Sequence, residues 1–212
     1  MKVKQIIKLL IACFIAALLL PISSAFGSPN AKSESPEAVV HKLQNGLLHV
    51  MQEGQKSGYD GRYQYLESII DQSHDIDMII KTILGATYWM QLDKTQQDQL
   101  VATFRQLTIA TYASQFTAHD GEAFKIVEQR ELPREQALIR SQLITQSDSG
   151  TVNFDYVLHQ NDGHWLIVNI LFDGVSDLAI KRGEYRAIMQ KDGYQALIDK
   201  LKEKIALTRQ NP

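Results

Sequence analysis

Residues 124–173 constrain the fold of this chain more than any other stretch. Four segments there read as strands: Phe124–Arg130, Ala137–Thr145, Thr151–Gln160 and Trp165–Asp173. Their connections, Leu132-Pro133-Arg134, Ser147-Asp148-Ser149-Gly150 and Asn161-Asp162-Gly163, are short, and the last two have hairpin composition. A strand joined so tightly to the next must pair with it antiparallel, because parallel neighbours need a crossover of about a dozen residues or more. Alternation then assigns faces. Val152, Phe154, Tyr156 and Leu158 fall on one side and Asn153 and Asp155 on the other, and Leu166, Val168, Ile170 and Phe172 repeat the pattern. The segment therefore predicts a four-stranded antiparallel meander with one apolar face that something else must cover.

Helices on both sides of the meander supply the cover. Ser35-Pro36 reads as an N-cap followed by proline at the first helical position. The helix behind it carries Val39, Val40, Leu43, Leu47, Leu48 and Val50 and ends near Gly54 or Gly58. A second runs from Tyr59 to Ile70. Asp75 caps a third, which carries Ile76, Ile79, Ile80, Ile83 and Leu84 and stops at Gly85. A short segment, Tyr88-Trp89-Met90, leads to the longest helix, Thr95 to about Ala118. After the strands, Ser176 caps a helix with Leu178, Ile180, Tyr185, Ile188 and Met189. Gly193 separates it from a last amphipathic helix. Helices, antiparallel sheet, helices: the fold class is α+β.

The long helix has an unusual pattern. At ~100° per residue, Leu107, Leu100, Phe104, Val101, Tyr112, Phe116 and Ile109 cover an arc of roughly 200°. A surface helix needs a stripe of little more than ~100°. Two readings fit: one side faces core and the other a cavity, or the helix is the central one of the fold. The pattern alone favours the central helix.

The first residues stand outside the domain. Lys2, Lys4 and Lys8 precede an apolar run, Leu9–Leu20, that Pro21 ends, and Ala25-Phe26-Gly27 places small residues before a cut ahead of Ser28. This is the pattern of a secretory signal over residues 1–27, with Ser23-Ser24-Ala25 as an alternative site. The run is short for a spanning helix, which takes ~20 apolar residues, so an uncleaved anchor is the lesser reading. Residues 28–35 read as a flexible leader and 36–209 as one domain. Cys13 lies in the apolar run after Leu10-Ile11-Ala12, but a lipoprotein box is discounted because most of the run follows it. Cleavage would leave a chain without thiols, hence without disulfide or thiolate metal site. Losing three lysines takes the formal charge from −2 to about −5. With no basic stripe, nucleic-acid binding is excluded as a function class.

No catalytic pattern emerges. His159 and His164 flank a hairpin turn and supply too few ligands for a closed zinc site. His74 with Asp75 and Asp77 is explained by a helix cap. His41, His49 and His119 are isolated. Gly174-Val175-Ser176 fails the G-x-S-x-G pattern because Leu178 stands where the second glycine belongs. Gly61 and Gly121 are isolated and cradle no phosphate. No metal and no cofactor are expected.

The chain resembles the MlaC/toluene-tolerance family of periplasmic phospholipid-binding proteins. The likeness begins at Ile83-Leu84-Gly85 with Tyr88 and continues through Thr95-x-Gln97, Phe104 and Thr111-Tyr112-Ala113. It is densest at Gly163-x-Trp165, Asp173-Gly174-Val175-Ser176, Arg182, Tyr185 and Gly193-x-x-x-Leu197-Ile198. Within the family it looks closest to the hopanoid-biosynthesis-associated branch, through Ala110–Phe116, Gly121-Glu122-x-Phe124, Phe154-Asp155-Tyr156 and Ser176-Asp177-Leu178-Ala179. Asn169 departs from the aspartate and Asp173 from the glutamate common at those places. The resemblance implies a curved four-stranded sheet and helices enclosing a deep apolar pocket for acyl tails. It implies a monomeric periplasmic carrier of a phospholipid or hopanoid-like lipid, non-catalytic, passing cargo between an inner-membrane ABC transporter complex and an outer-membrane lipoprotein complex. An accessory or enzymatic part in membrane lipid synthesis is the alternative. By position, Val175 belongs to the pocket wall. From their faces, Tyr112, Phe116, Phe154, Tyr156, Val168, Ile170 and Phe172 join it.

Overall fold

The computed structural model describes residues 34–145 and 150–210. The expected signal, most of the leader and the turn residues Ser147, Asp148 and Ser149 lie outside the described residues.

Helix α1 spans Pro36–Ser73. The Ser35 hydroxyl accepts from the Ala38 N–H at 3.2 Å, and Pro36 sits in the first turn, where its missing N–H costs nothing. Two glycines interrupt it, Gly54 at φ 48° and Gly58 at φ 58°. The expected pair of helices is present as two stretches of α1 joined through a kink at both glycines, in a backbone region that other residues enter only with strain. Ahead of the break, Val39, Val40, Leu43, Leu47 and Val50 are buried; after it, Tyr59, Leu66 and Ile70 are.

His74 ends α1 in extended backbone and bridges to Ile167, and the Asp75 N–H donates to the Ile167 carbonyl at 3.0 Å. The Asp75 carboxylate then accepts from the Met78 N–H at 2.8 Å and opens α2, Ile76–Trp89. Gly85, at φ 74°, is non-helical and ends the first stretch of α2 as expected; beyond this kink Tyr88 and Trp89 lie in a further short helical stretch instead of a linking segment. The Arg186 guanidinium lies over Gly85, where a Cβ would collide with it, and donates to the Ile83 carbonyl at 2.8 Å. One arginine thus fills space beside the break and satisfies a carbonyl left free by it.

Helix α3 is Lys94–Gln115, shorter than expected at its C-terminus and started by Asp93 instead of Thr95. Asp93 and Gln96 form a reciprocal capping box, at 2.8 Å and 3.0 Å. Much of the wide apolar arc is covered by neighbouring helices. Leu100, Phe104, Leu107 and Ile109 are buried, and α3 packs against α1, α2 and the last helix.

The sheet is a meander, β1 Ala123–Leu132, β2 Gln136–Ile144, β3 Thr151–Asn161, β4 His164–Phe172 and β5 Val175–Ser176, paired antiparallel in that order. It has five strands, not four. Asp173 and Gly174 both have positive φ, 47° and 82°, and form a two-residue hairpin turn like that of Asp162 and Gly163. That turn brings Val175 back beside Phe172. Ser176 then caps α4, Asp177–Lys191, and α5 follows over Gly193–Gln210.

The face assignment of β4 needs one correction. Tyr156 pairs with Ile170 and Phe154 with Phe172, as alternation requires, but Leu158 pairs with Ile167 and His159 with Leu166. Val168 is the extra residue of a β-bulge. A bulge shifts parity by one, so Ile167 is buried where Leu166 was expected. A second irregularity, between Ile126 and Glu128, interrupts β1. Both bend and twist the sheet locally.

Candidate functional site

A cavity of about 120 Å³ lies between α3 and β4, with His74 at the end of α1 and the first two turns of α4 also on its wall; Gln115 and Phe172 are its exposed lining residues. Helix α3 contributes Phe104, Leu107, Thr108, Thr111, Tyr112 and Gln115, one face of the helix at spacings of three and four, with Phe116 just past its end. Strand β4 contributes Ile167 through Ile170 and Phe172. Consecutive residues of one strand reach the cavity because the bulge at Val168 breaks the alternation.

Of the residues expected at a pocket wall, Tyr112, Phe116, Val168, Ile170 and Phe172 come together here. Phe154 and Tyr156 are on the neighbouring strand β3, paired with Phe172 and Ile170, and do not line the cavity. Phe154 meets Phe172 edge-on at 5.0 Å and Phe124 at 5.8 Å, and stacks on Tyr156 at 6.4 Å. Tyr156 is 1% exposed, in a polar cluster where the Gln44 amide donates to Ser141 Oγ at 2.8 Å. Val175 stands outside the wall, 55% exposed on the hairpin opposite Phe172.

The cavity floor carries a hydrogen-bonded chain. The Ser73 hydroxyl donates to the Ile69 carbonyl at 2.6 Å, which leaves its oxygen to accept from His74 Nδ1–H at 2.9 Å. Nε2 is then the acceptor for the Tyr112 hydroxyl at 3.2 Å. Burial lowers the His74 pKa to about 4, so the ring is neutral at neutral pH. Burial, then the nearby Tyr156 and Asp177, push the Tyr112 phenol well above its ordinary value. The interior is polar in places but uncharged. The expected helix cap is there, with His74 the C-cap of α1 and Asp75 the N-cap of α2; a histidine at a cap gives no sign of which way its ring turns.

Among the described residues lining the cavity, charge appears only at its partly exposed edge. Asp177 and Lys181, one turn apart on α4, form an ion pair, and both line the cavity. Asn169 also lines the cavity, and its Oδ1 accepts from the Ser176 hydroxyl at 3.1 Å. Neither the ion pair nor the Asn169 bond was visible as a site in the sequence. Among the described residues no three His, Cys, Asp or Glu side chains are placed to hold a metal ion, and no helix is long and apolar enough to cross a membrane.

Residues 41–203 match the family model described as MlaC protein. The chain belongs to the MlaC family. The match is to the family as a whole and does not separate its branches. Toluene tolerance protein ttg2D of Pseudomonas putida is 20% identical over 178 residues, 82% of each chain. Among solved structures, the phospholipid-binding protein from Ralstonia solanacearum, determined in complex with a phospholipid, superposes with a TM-score of 0.68 at 19% identity. The match covers 82% of this chain and 98% of that one. This MlaC-family chain thus has the fold of that protein.

Proposed function

We propose that this protein binds a phospholipid, with its acyl tails in the layer between sheet and helices, and carries it through the periplasm without chemical change. The supporting observation is the cavity: apolar walls on α3 and β4, an uncharged interior and charge confined to the rim. That is the polarity profile of an amphiphile. Family membership and a fold neighbour described as a phospholipid complex support the same reading. In this proposal residues 1–27 direct export, 28–35 form a leader, and 36–209 travel as a monomer. The donor and acceptor are an inner-membrane ABC transporter complex and an outer-membrane lipoprotein complex. Tyr112, Phe116, Val168, Ile170 and Phe172 contact the tails first, and Phe154, Tyr156 and Val175 join when the site widens.

Widening is required. Pockets for drug-sized ligands are about 300–1,000 Å³, whereas this one has about 120 Å³, nearer the ~150 Å³ that encloses benzene. Loading therefore separates helices from the sheet. The breaks at Gly54 and Gly58 give α1 a place to bend. Burial of ~0.8 kcal/mol per methylene offsets the packing that is lost.

The segment Ala110–Phe116, which carries the likeness to the hopanoid-associated branch, forms part of the cavity wall through Thr111, Tyr112, Gln115 and Phe116. A polycyclic lipid is accordingly the second candidate cargo. Native mass spectrometry of gently purified protein, followed by lipid extraction, tests both. A lipid adduct is expected, and its identity separates the two. Protein that is always lipid-free and takes up no labelled phospholipid from vesicles refutes the proposal.

A further inference from the structure

The ion pair at the cavity rim carries an inference about head-group choice that rests on the lipid-carrier reading. Among the described residues lining the cavity, Asp177 and Lys181 alone are charged at neutral pH. They are adjacent on one face of α4, with side chains 42% and 25% exposed. With tails in the apolar part of the cavity, a head group at its surface falls within reach of this partly exposed pair. The field of Asp177 reaches the interior, since it contributes to the rise of the Tyr112 phenol behind burial and Tyr156.

We propose that Asp177 and Lys181 select a zwitterionic glycerophospholipid over an anionic one. A phosphoethanolamine head group is itself an ion pair. When it meets the rim, Lys181 exchanges Asp177 for the phosphate, and Asp177 exchanges Lys181 for the ammonium. Two ion pairs are broken and two are formed, and no charge is left alone at an apolar mouth. A phosphoglycerol head group brings a phosphate and hydroxyls only. Lys181 can still pair with it, but Asp177 then stands unpaired beside an anion, where like charge is repulsive. An exposed pair one helical turn apart holds itself together weakly, so the exchange meets little resistance.

The test is competition. The purified chain is incubated with vesicles of equimolar phosphatidylethanolamine and phosphatidylglycerol with identical acyl chains, re-isolated, and its bound lipid quantified by mass spectrometry. Wild type should be enriched in phosphatidylethanolamine about two- to fivefold, the range set by a partly exposed pair. Asp177→Asn should move the ratio towards phosphatidylglycerol, and Asp177→Asn with Lys181→Gln should return it to the vesicle ratio. Circular dichroism checks that each variant is folded. Wild type at the vesicle ratio, or an Asp177→Asn ratio equal to wild type, overturns head-group selection while leaving lipid carriage intact. Uptake of neither lipid by wild type overturns both.

Discussion

Acid should destabilise this protein through His74 in particular. The ring lies against Ser73 and Tyr112, beside the backbone bridge to Ile167 of β4, and burial holds its pKa at about 4 against 6.5 for a free imidazole. Above pH 6.5 both the folded and unfolded states are neutral here, and the stabilisation is fully present. Between 6.5 and 4 the unfolded chain binds a proton that the folded one refuses, so stability falls with pH; below about 4 the loss is complete. At ~1.36 kcal/mol per unit the full loss is about 3 kcal/mol, of which about 2 kcal/mol falls between pH 7 and pH 5. Carboxylates titrate in the lower part of that window, so the comparison must be with a variant. Urea unfolding of wild type and His74→Gln at pH 7, 6 and 5 isolates the term. The wild-type free energy should drop about 2 kcal/mol more than that of the variant. NMR of the imidazole should show no titration above pH 5. A His74 signal titrating near 6.5, or equal pH slopes in the two proteins, would refute the argument.

Three further outcomes follow from the packing. Gly85→Ala combines positive φ with a collision against Arg186 and should cost at least ~1–2 kcal/mol, read as a lower urea midpoint. Phe154→Ala removes a ring that touches Phe124, Tyr156 and Phe172 and should cost about 3–5 kcal/mol by the same measurement. Thr108→Trp places an indole against the cavity. The proposed carrier should then lose most of its lipid occupancy by native mass spectrometry, while its melting temperature stays within a few degrees of wild type. Undiminished lipid occupancy in that variant would place the tails elsewhere.

How much was legible depended on the range of the interaction. Ser35, Asp75 and Ser176 announced helix starts because a cap is a contact over three residues. Asp162-Gly163 announced a hairpin because the turn is two residues long. Asp173-Gly174 carried the same chemistry, but the strand it makes is only Val175–Ser176, too short to alternate. The faces that place Tyr112, Phe116, Val168, Ile170 and Phe172 beside the cavity follow from periodicity, whereas on the core face of β4 Ile167 took the place of Leu166 because a bulge leaves no mark on composition. Val175 is exposed because its hairpin turns it away from the wall.

By itself the amino-acid order determined an α+β chain with a meander between helices and a wide apolar face on the long helix. These are periodicities and turns, set by neighbours a few residues apart. Tertiary structure alone decided that His74 turns inward to meet Tyr112, 38 residues away, and that Arg186 lies against Gly85. It also decided that the cavity is about 120 Å³ and that the pair at its rim is Asp177 with Lys181. The reason is physical: a cavity is the space that elements leave when they pack, and its volume and charge depend on distances between segments that no local pattern encodes.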